Sequence, residues 1–328
     1  MMKKLICVLL ALMLCSAAAA ESFFTNGGVE LTTENLAHQE ASAPATVYFI
    51  ADISPESLIQ AWQALGIQLP GKVGVKLSTG EGENSNYLRP ALIGQLVQSL
   101  KAVIVECNTG YAGTRSSTAM HMQVAKDRGY TDIAEVDIQD AEGSMELPVE
   151  GGNVLSVDYV GSHFANYDSY LVLSHFKGHA MAGFGGAIKN ISIGFASAEG
   201  KRWIHSAGRR SDIFLEDDQD GFLESMADAA WAVEHAMGDH IVYISVMNRL
   251  SVDCDCDPTP KEPDMHDIGI LASTDPLAID QAAIDLVYAM PDSGSLIRRI
   301  ESLNGLHTLD AAEAIGLGSR TYQLVIIR

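Results

Sequence analysis

From Thr46 to Arg328 the chain alternates short apolar runs with amphipathic ones, and this rhythm limits its fold more than any other feature. TVYFIA (46–51), KVGVKL (72–77), AVIVEC (102–107), IAEVDI (133–138), SYLVLSHF (169–176), HIVYISVM (240–247), DIGILAS (267–273) and TYQLVII (321–327) read as strands, because such runs suit a buried, pleated surface. Between them, Leu58, Ile59, Trp62 and Leu65 recur at helical spacing after Ser54-Pro55-Glu56, and Leu92, Ile93, Leu96, Val97 and Leu100 do the same. Residues 117–128, 222–237 and the stretch from Asp275-Pro276 to Met290 complete the helical set. Strands alternating with helices predict an α/β fold: a mostly parallel sheet with helices on both faces. Charge and glycine rise over 207–221, so two lobes are expected, 46–206 and 207–328, behind a loose Ala/Ser/Thr-rich arm over 21–45.

The first twenty residues stand apart. Lys3 and Lys4 precede LICVLLALMLC, an apolar run of eleven, and Ala18-Ala19-Ala20 offers a small-residue cleavage site before Glu21. The run is too short to span a bilayer, and the layout is that of a secretory signal peptide over 1–20. It predicts an exported protein, periplasmic or secreted, with no stable membrane insertion once the signal is removed. Leu14 is too large for the residue before a lipid-bearing cysteine, so Cys15 predicts no lipoprotein anchor. The formal net charge is −21, which argues against nucleic acid as a partner and leaves a small-molecule or metal ligand. Beyond the signal only Cys107, Cys254 and Cys256 remain, too few for a disulfide framework.

Ligands of open α/β sheets sit beyond the carboxyl ends of the strands. The stretches STGEGEN, NTGYAGTR and KGHAMAGFGG fall there. HAMAGFGGAIKN (179–190) is neither a Walker loop nor a dinucleotide fingerprint, since no glycine directly precedes Lys189 and Ile188 stands where the last glycine should be. Gly183, Gly185 and Gly186 either bring backbone N–H groups up to a ligand, with Lys177 and Lys189 beside them, or simply allow a turn. His175, Lys177 and His179 share one face if their strand persists. Asp-Cys-Asp-Cys-Asp (253–257) concentrates thiols for a soft metal and carboxylates for a hard one; a disulfide between Cys254 and Cys256 is the rival. Asp280, among apolar neighbours, is either functional or on an exposed stripe.

Four segments resemble the uncharacterised "Fe–S centre protein" family, domain of unknown function 362: VGVKLSTGEGENSNYLRP, NTGYAGTR, SHFKGHAMAGFGGAIKNISIGFASAEGKRWIHS, and CDCDPTP with DIGILASTDPLAIDQAAIDL. Many members insert a ferredoxin module after the WIHS-like segment. Here that place reads AGRRSDIFLEDDQDGFLESMAD, without a cysteine, so no ferredoxin-type Fe–S cluster is expected. The central segment is also similar to the nickel-pincer lactate racemase family. That resemblance implies cofactor attachment and catalysis at Lys189, proton chemistry at His179, and nickel ligation at His205. A metal site would add Cys254 and Cys256 to His205. The further catalytic histidine of the racemases has no counterpart in TGYAGTR, which offers Tyr111 or Arg115 instead. The expected function is a metal- or cofactor-dependent enzyme acting on a small polar or anionic molecule by racemase-like proton or hydride chemistry; the alternative is a non-catalytic metal- or anion-binding protein.

Overall fold

The computed structural model describes residues 20–328 apart from 83 and 216; all but the last residue of the signal peptide lies outside the described residues. Eight strands form one sheet: β1 (Ala45–Ile50), β2 (Val73–Lys76), β3 (Val103–Glu106), β4 (Val136–Ile138), β5 (Ser169–His175), β6 (Ile241–Met247), β7 (Gly269–Ser273) and β8 (Tyr322–Ile327). Their order across the sheet is β8-β1-β7-β6-β5-β2-β3-β4. Only β7 runs against its neighbours, β1 and β6; every other pairing is parallel. The fold is the mostly parallel α/β architecture that the alternation predicts.

Successive side chains of a strand face opposite sides, and the core divides accordingly. Tyr170 and Val172 of β5 join one cluster with helices Gln219–Met237 and Pro276–Ala289. Leu171 and Leu173 join the other, with Leu58 and Ala61 of helix Pro55–Ala64 and Ile93, Leu96 and Val97 of helix Pro90–Ser99. Helices Pro55–Ala64, Pro90–Ser99 and Pro276–Ala289 each begin with proline at the first position, where the missing N–H costs nothing.

Two expectations are corrected. The strands of 46–206 and those of 207–328 share one sheet, with β6 paired to β5 and β8 paired to β1, so the 207–221 segment links parts of a single sheet instead of separating lobes. The 21–45 arm is not loose: Ser22–Phe24 pairs with Glu30–Thr32, and Phe23, Leu31 and Leu36 are buried in the core. Polar composition hid three apolar anchors.

Moving from β2, the chain steps to β3 and β4 on one side, while β5 and β6 lie on the other. The crevice beyond the ends of β2 and β5 is therefore the switch point where such sheets receive ligands.

Candidate functional site

Three strands end in a polar, ionisable residue at this crevice: β2 in Lys76, β3 in Glu106, β5 in His175. The ladder breaks at Phe176, and the chain turns into a hairpin pairing Lys177–His179 with Gly183–Gly185. A short helix, Ala187–Ile191, follows, then helix Ala198–His205. The cysteine segment crosses the same end after β6. Together they enclose a cavity of about 200 Å³ lined by Lys177, His179, Gly185, Gly186, Lys189, His205, Cys254 and Cys256.

Gly183 is not part of that lining. It sits at the hairpin turn with φ +78° and packs against Gly305 and Ile300, so its freedom serves the turn. Gly186 has a different reason. An added Cβ there would lie 2.2 Å from Asp280 Oδ1. The Asp280 carboxylate accepts the N–H of Ala187 at 2.7 Å and of Ile188 at 2.9 Å. Those two donors are thereby consumed, so the loop does not cradle an anion with them as the sequence suggested. Asp280 is neither on an exposed stripe nor in the cavity; it is fully buried, and burial pushes its carboxyl up to about 7 against the pull of the two N–H groups. Gly185 is open wall: a Cβ would meet Lys189 Cδ at 3.4 Å and Lys177 Cε at 3.7 Å.

What the cavity offers instead is cationic side chains. Lys76, Lys177, Lys189, Lys201 and Arg115 line it against two carboxylates, Glu106 and Asp255. Arg115 is held by Glu81 at 3.0 Å and Glu106 at 3.5 Å. Lys177 reaches Asp255 at 3.0 Å, and the same carboxylate receives His175 Nδ1 at 2.9 Å. Among the described residues, Lys76, Lys189 and Lys201 have no carboxylate within ion-pair distance. Lys76 donates to Leu77 O at 2.7 Å and Asn190 Oδ1 at 3.2 Å, and Lys201 donates to Ala196 O. Burial, opposed by Glu106, lowers the Lys76 amine to about 8. Burial and then Lys177, Lys201, Lys76 and Arg115 lower Lys189 to about 7.

The two histidines differ. Nδ1 of His179 accepts the N–H of Met181 at 3.2 Å and of Ala182 at 2.9 Å, which places the proton of the neutral ring on Nε2. His179 thus enters the cavity as a donor, and the general-base role expected of it has no free lone pair in this arrangement. His205 stacks on Phe222, centroids 4.4 Å apart, and meets the tilted ring of Phe214 at 4.5 Å, and its buried Nδ1 has no partner. Burial, with Lys189 and Lys201, holds it down at about 3.

Cys254 and Cys256 are joined in a disulfide, the rival that the sequence left open. Their nearest imidazole is His179, not His205: the ligand atoms of His179, Cys254 and Cys256 lie within 4.8 Å of one another. This group has the residue types of a metal site, but thiolate ligation first requires that the disulfide be reduced.

Sequence reasoning missed Lys76, Glu106 and Lys201, and missed that Asp255 anchors the cysteine loop. For Lys76 and Glu106 the signal exists: each is a charge closing an otherwise apolar strand, VGVK and VIVE.

Residues 73–285, which contain nearly every group named above, match a family profile: Domain of unknown function (DUF362). The chain belongs to this family. No curated protein matches this DUF362 chain. Among solved structures the chain is similar to the lactate racemase apoprotein from Thermoanaerobacterium thermosaccharolyticum, at 16% identity and a TM-score of 0.38, over 70% of this chain and 55% of that one. It is similar also to a protein from Thermotoga maritima, at 10% identity and a TM-score of 0.42, over 79% of this chain and 58% of that one. The DUF362 chain thus spans little more than half the length of either. No helix among its described residues is long and apolar enough to cross a membrane.

Proposed function

We propose that the cavity binds a small organic anion and that Lys189 is its reactive amine, moving a proton to or from the bound molecule. The observation that carries this reading is the excess of cation: three lysines on the cavity wall without a carboxylate partner, Lys76 and Lys201 buried and Lys189 partly buried, in a chain whose net charge is −21. Uncompensated charges are costly to bury, so their retention points to a ligand that supplies the missing negative charge. An amine brought to about 7 exchanges protons readily near neutral pH, where general acid–base catalysis is most effective. Lys76 and Lys201 would hold the anion, and His179 Nε2–H would donate a hydrogen bond to it.

One observation favours a more elaborate version. His205 Nδ1 is a buried ring nitrogen without a partner, on the same cavity as Lys189. These are the residues that would tether and ligate a nickel-pincer cofactor, which when bound supplies hydride chemistry. The residues present fit such a group, and Lys189 would then serve as its anchor.

Calorimetry with a panel of lactate, malate, succinate and phosphate tests the simpler reading, together with exchange of substrate C–H hydrogens in deuterated water. We expect saturable binding of at least one anion, lost in Lys189→Met. Binding that survives Lys189→Met unchanged contradicts the proposal, and binding without hydrogen exchange selects a non-catalytic anion-binding protein.

A further inference from the structure

The disulfide is the feature that anion binding leaves unexplained. A bridge between residues two apart in sequence closes a minimal loop, and loop closure of that length constrains the unfolded chain least. It is a poor staple. It is also placed on the cavity wall, not in the core.

Its surroundings fix the loop and leave the sulfurs facing the cavity. Asp253 pairs with Arg299 at 3.3 Å, and Arg299 also donates to Val252 O at 2.7 Å. Asp255 is held by His175 and Lys177, and its carbonyl accepts Glu81 N–H at 2.7 Å. Gly178 lies against the backbone of Val252, where a Cβ would come within 2.3 Å of the carbonyl oxygen. Asp253 and Asp255 alternate with the two cysteines, so pinning these two aspartates presents the sulfurs. A loop held this firmly keeps the two thiols together after reduction, ready to close again.

Each sulfur also has its own donor. Cys256 N–H points at Cys254 Sγ at 3.0 Å. His179 Nε2, which carries the ring proton, lies 3.8 Å from Cys256 Sγ. Thiolates are stabilised by such donors. Cys254 is buried, at 6% exposure, whereas Cys256 is partly open, so an incoming nucleophile meets Cys256 first.

We propose that Cys254–Cys256 is a redox centre that undergoes thiol–disulfide exchange with a small anionic thiol entering the cationic cavity. The proposal rests on the anion-binding reading above. The incoming thiolate forms a bond to Cys256 Sγ, the Cys254–Cys256 bond breaks, and Cys254 leaves as thiolate beside the Cys256 N–H. A second thiolate attacks the sulfur of the bound molecule, which departs as the small-molecule disulfide and releases the Cys256 thiolate beside His179. Two thiols give up two electrons and two protons; the protein pair takes up both. The reverse run, driven by an oxidised small molecule, regenerates the bridge.

The test uses the full-length native protein, alkylation and intact mass. Mercaptosuccinate is compared with cysteamine, each rate divided by its rate toward a peptide spanning 250–260. Charge focusing in a lined cleft predicts a preference for the anionic thiol of at least about tenfold, reduced several-fold in Lys189→Met. Cys254→Ser, treated with the oxidised dimer of mercaptosuccinate, is expected to gain one adduct on Cys256. Equal normalised rates for the two thiols overturn the proposal, as does a bridge that resists both while the peptide is reduced. A reduced protein that holds one zinc ion per chain and shows no thiol preference also overturns it, in favour of a metal site. The sulfur-free anion panel separates the two claims: if one of its members binds and the thiols show no preference, exchange falls and anion binding stands; if none binds, both fall.

Discussion

Lys189 has partners of the wrong sign. Lys177, Lys201, Lys76 and Arg115 surround it, and with burial they lower its amine from 10.5 to about 7. The folded chain thus releases this proton before the unfolded chain does. Between pH 7 and 10.5 the unfolded state binds more protons, so this residue's penalty is fully present below about 7 and fades as pH rises toward 10.5. Lys189→Met should therefore stabilise the protein by about 2 kcal/mol at pH 6, a fraction of the ~5 kcal/mol that the whole shift would represent if the cavity were dry. The gain should vanish near pH 10. Denaturant unfolding at the two pH values checks it; a mutant less stable than wild type at pH 6 would mean that Lys189 is already neutralised. Lys189, His179 and His205 stood out because one continuous segment that holds all three resembles a known family. Lys76, Glu106 and Lys201 did not, because each is a single charge at the end of a separate element and only the sheet brings them together.

At the scale of elements, the site hangs on contacts between segments far apart in sequence. The helix Ala187–Ile191 is too short to hold itself, and its first N–H groups rely on Asp280 from helix Pro276–Ala289. Gly186→Ala places a methyl group against that carboxylate. We expect a loss of about 3 kcal/mol by thermal or denaturant unfolding, with anion binding weakened as Lys189 shifts. An unchanged midpoint would show that the carboxylate moves aside freely. The sequence named Asp280 as ambiguous for a physical reason: a carboxylate that caps another element leaves no mark on its own helix. The break after His175 was equally hidden. Apolar alternation continues through Phe176, and what stops the ladder is the pairing of Lys177–His179 with Gly183–Gly185, a contact that periodicity does not encode.

For the whole molecule, charge is unevenly spent: an acidic chain, net −21, encloses a cavity where cations outnumber carboxylates. The alternation of strands and helices made the sheet legible, but the single sheet shared by 46–206 and 207–328 was not, because strand order depends on packing that connects the first strand to the last. The proposed export also belongs at this scale. Cleavage after Ala20 would make Glu21, whose N–H donates to Thr33 Oγ1 at 3.1 Å, the new terminus. N-terminal sequencing of protein from its own host should begin at Glu21; retention of Met1 would contradict it. Whether this cavity holds an anion against a lysine of lowered proton affinity is decided by competitive acetylation of every lysine as a function of pH, read by mass spectrometry with and without a bound anion. Lys189 is expected to become reactive with a midpoint near 7, well below the surface lysines, and the anion to move this midpoint upward. A Lys189 midpoint near 10.5, indifferent to every anion in the panel, would contradict it.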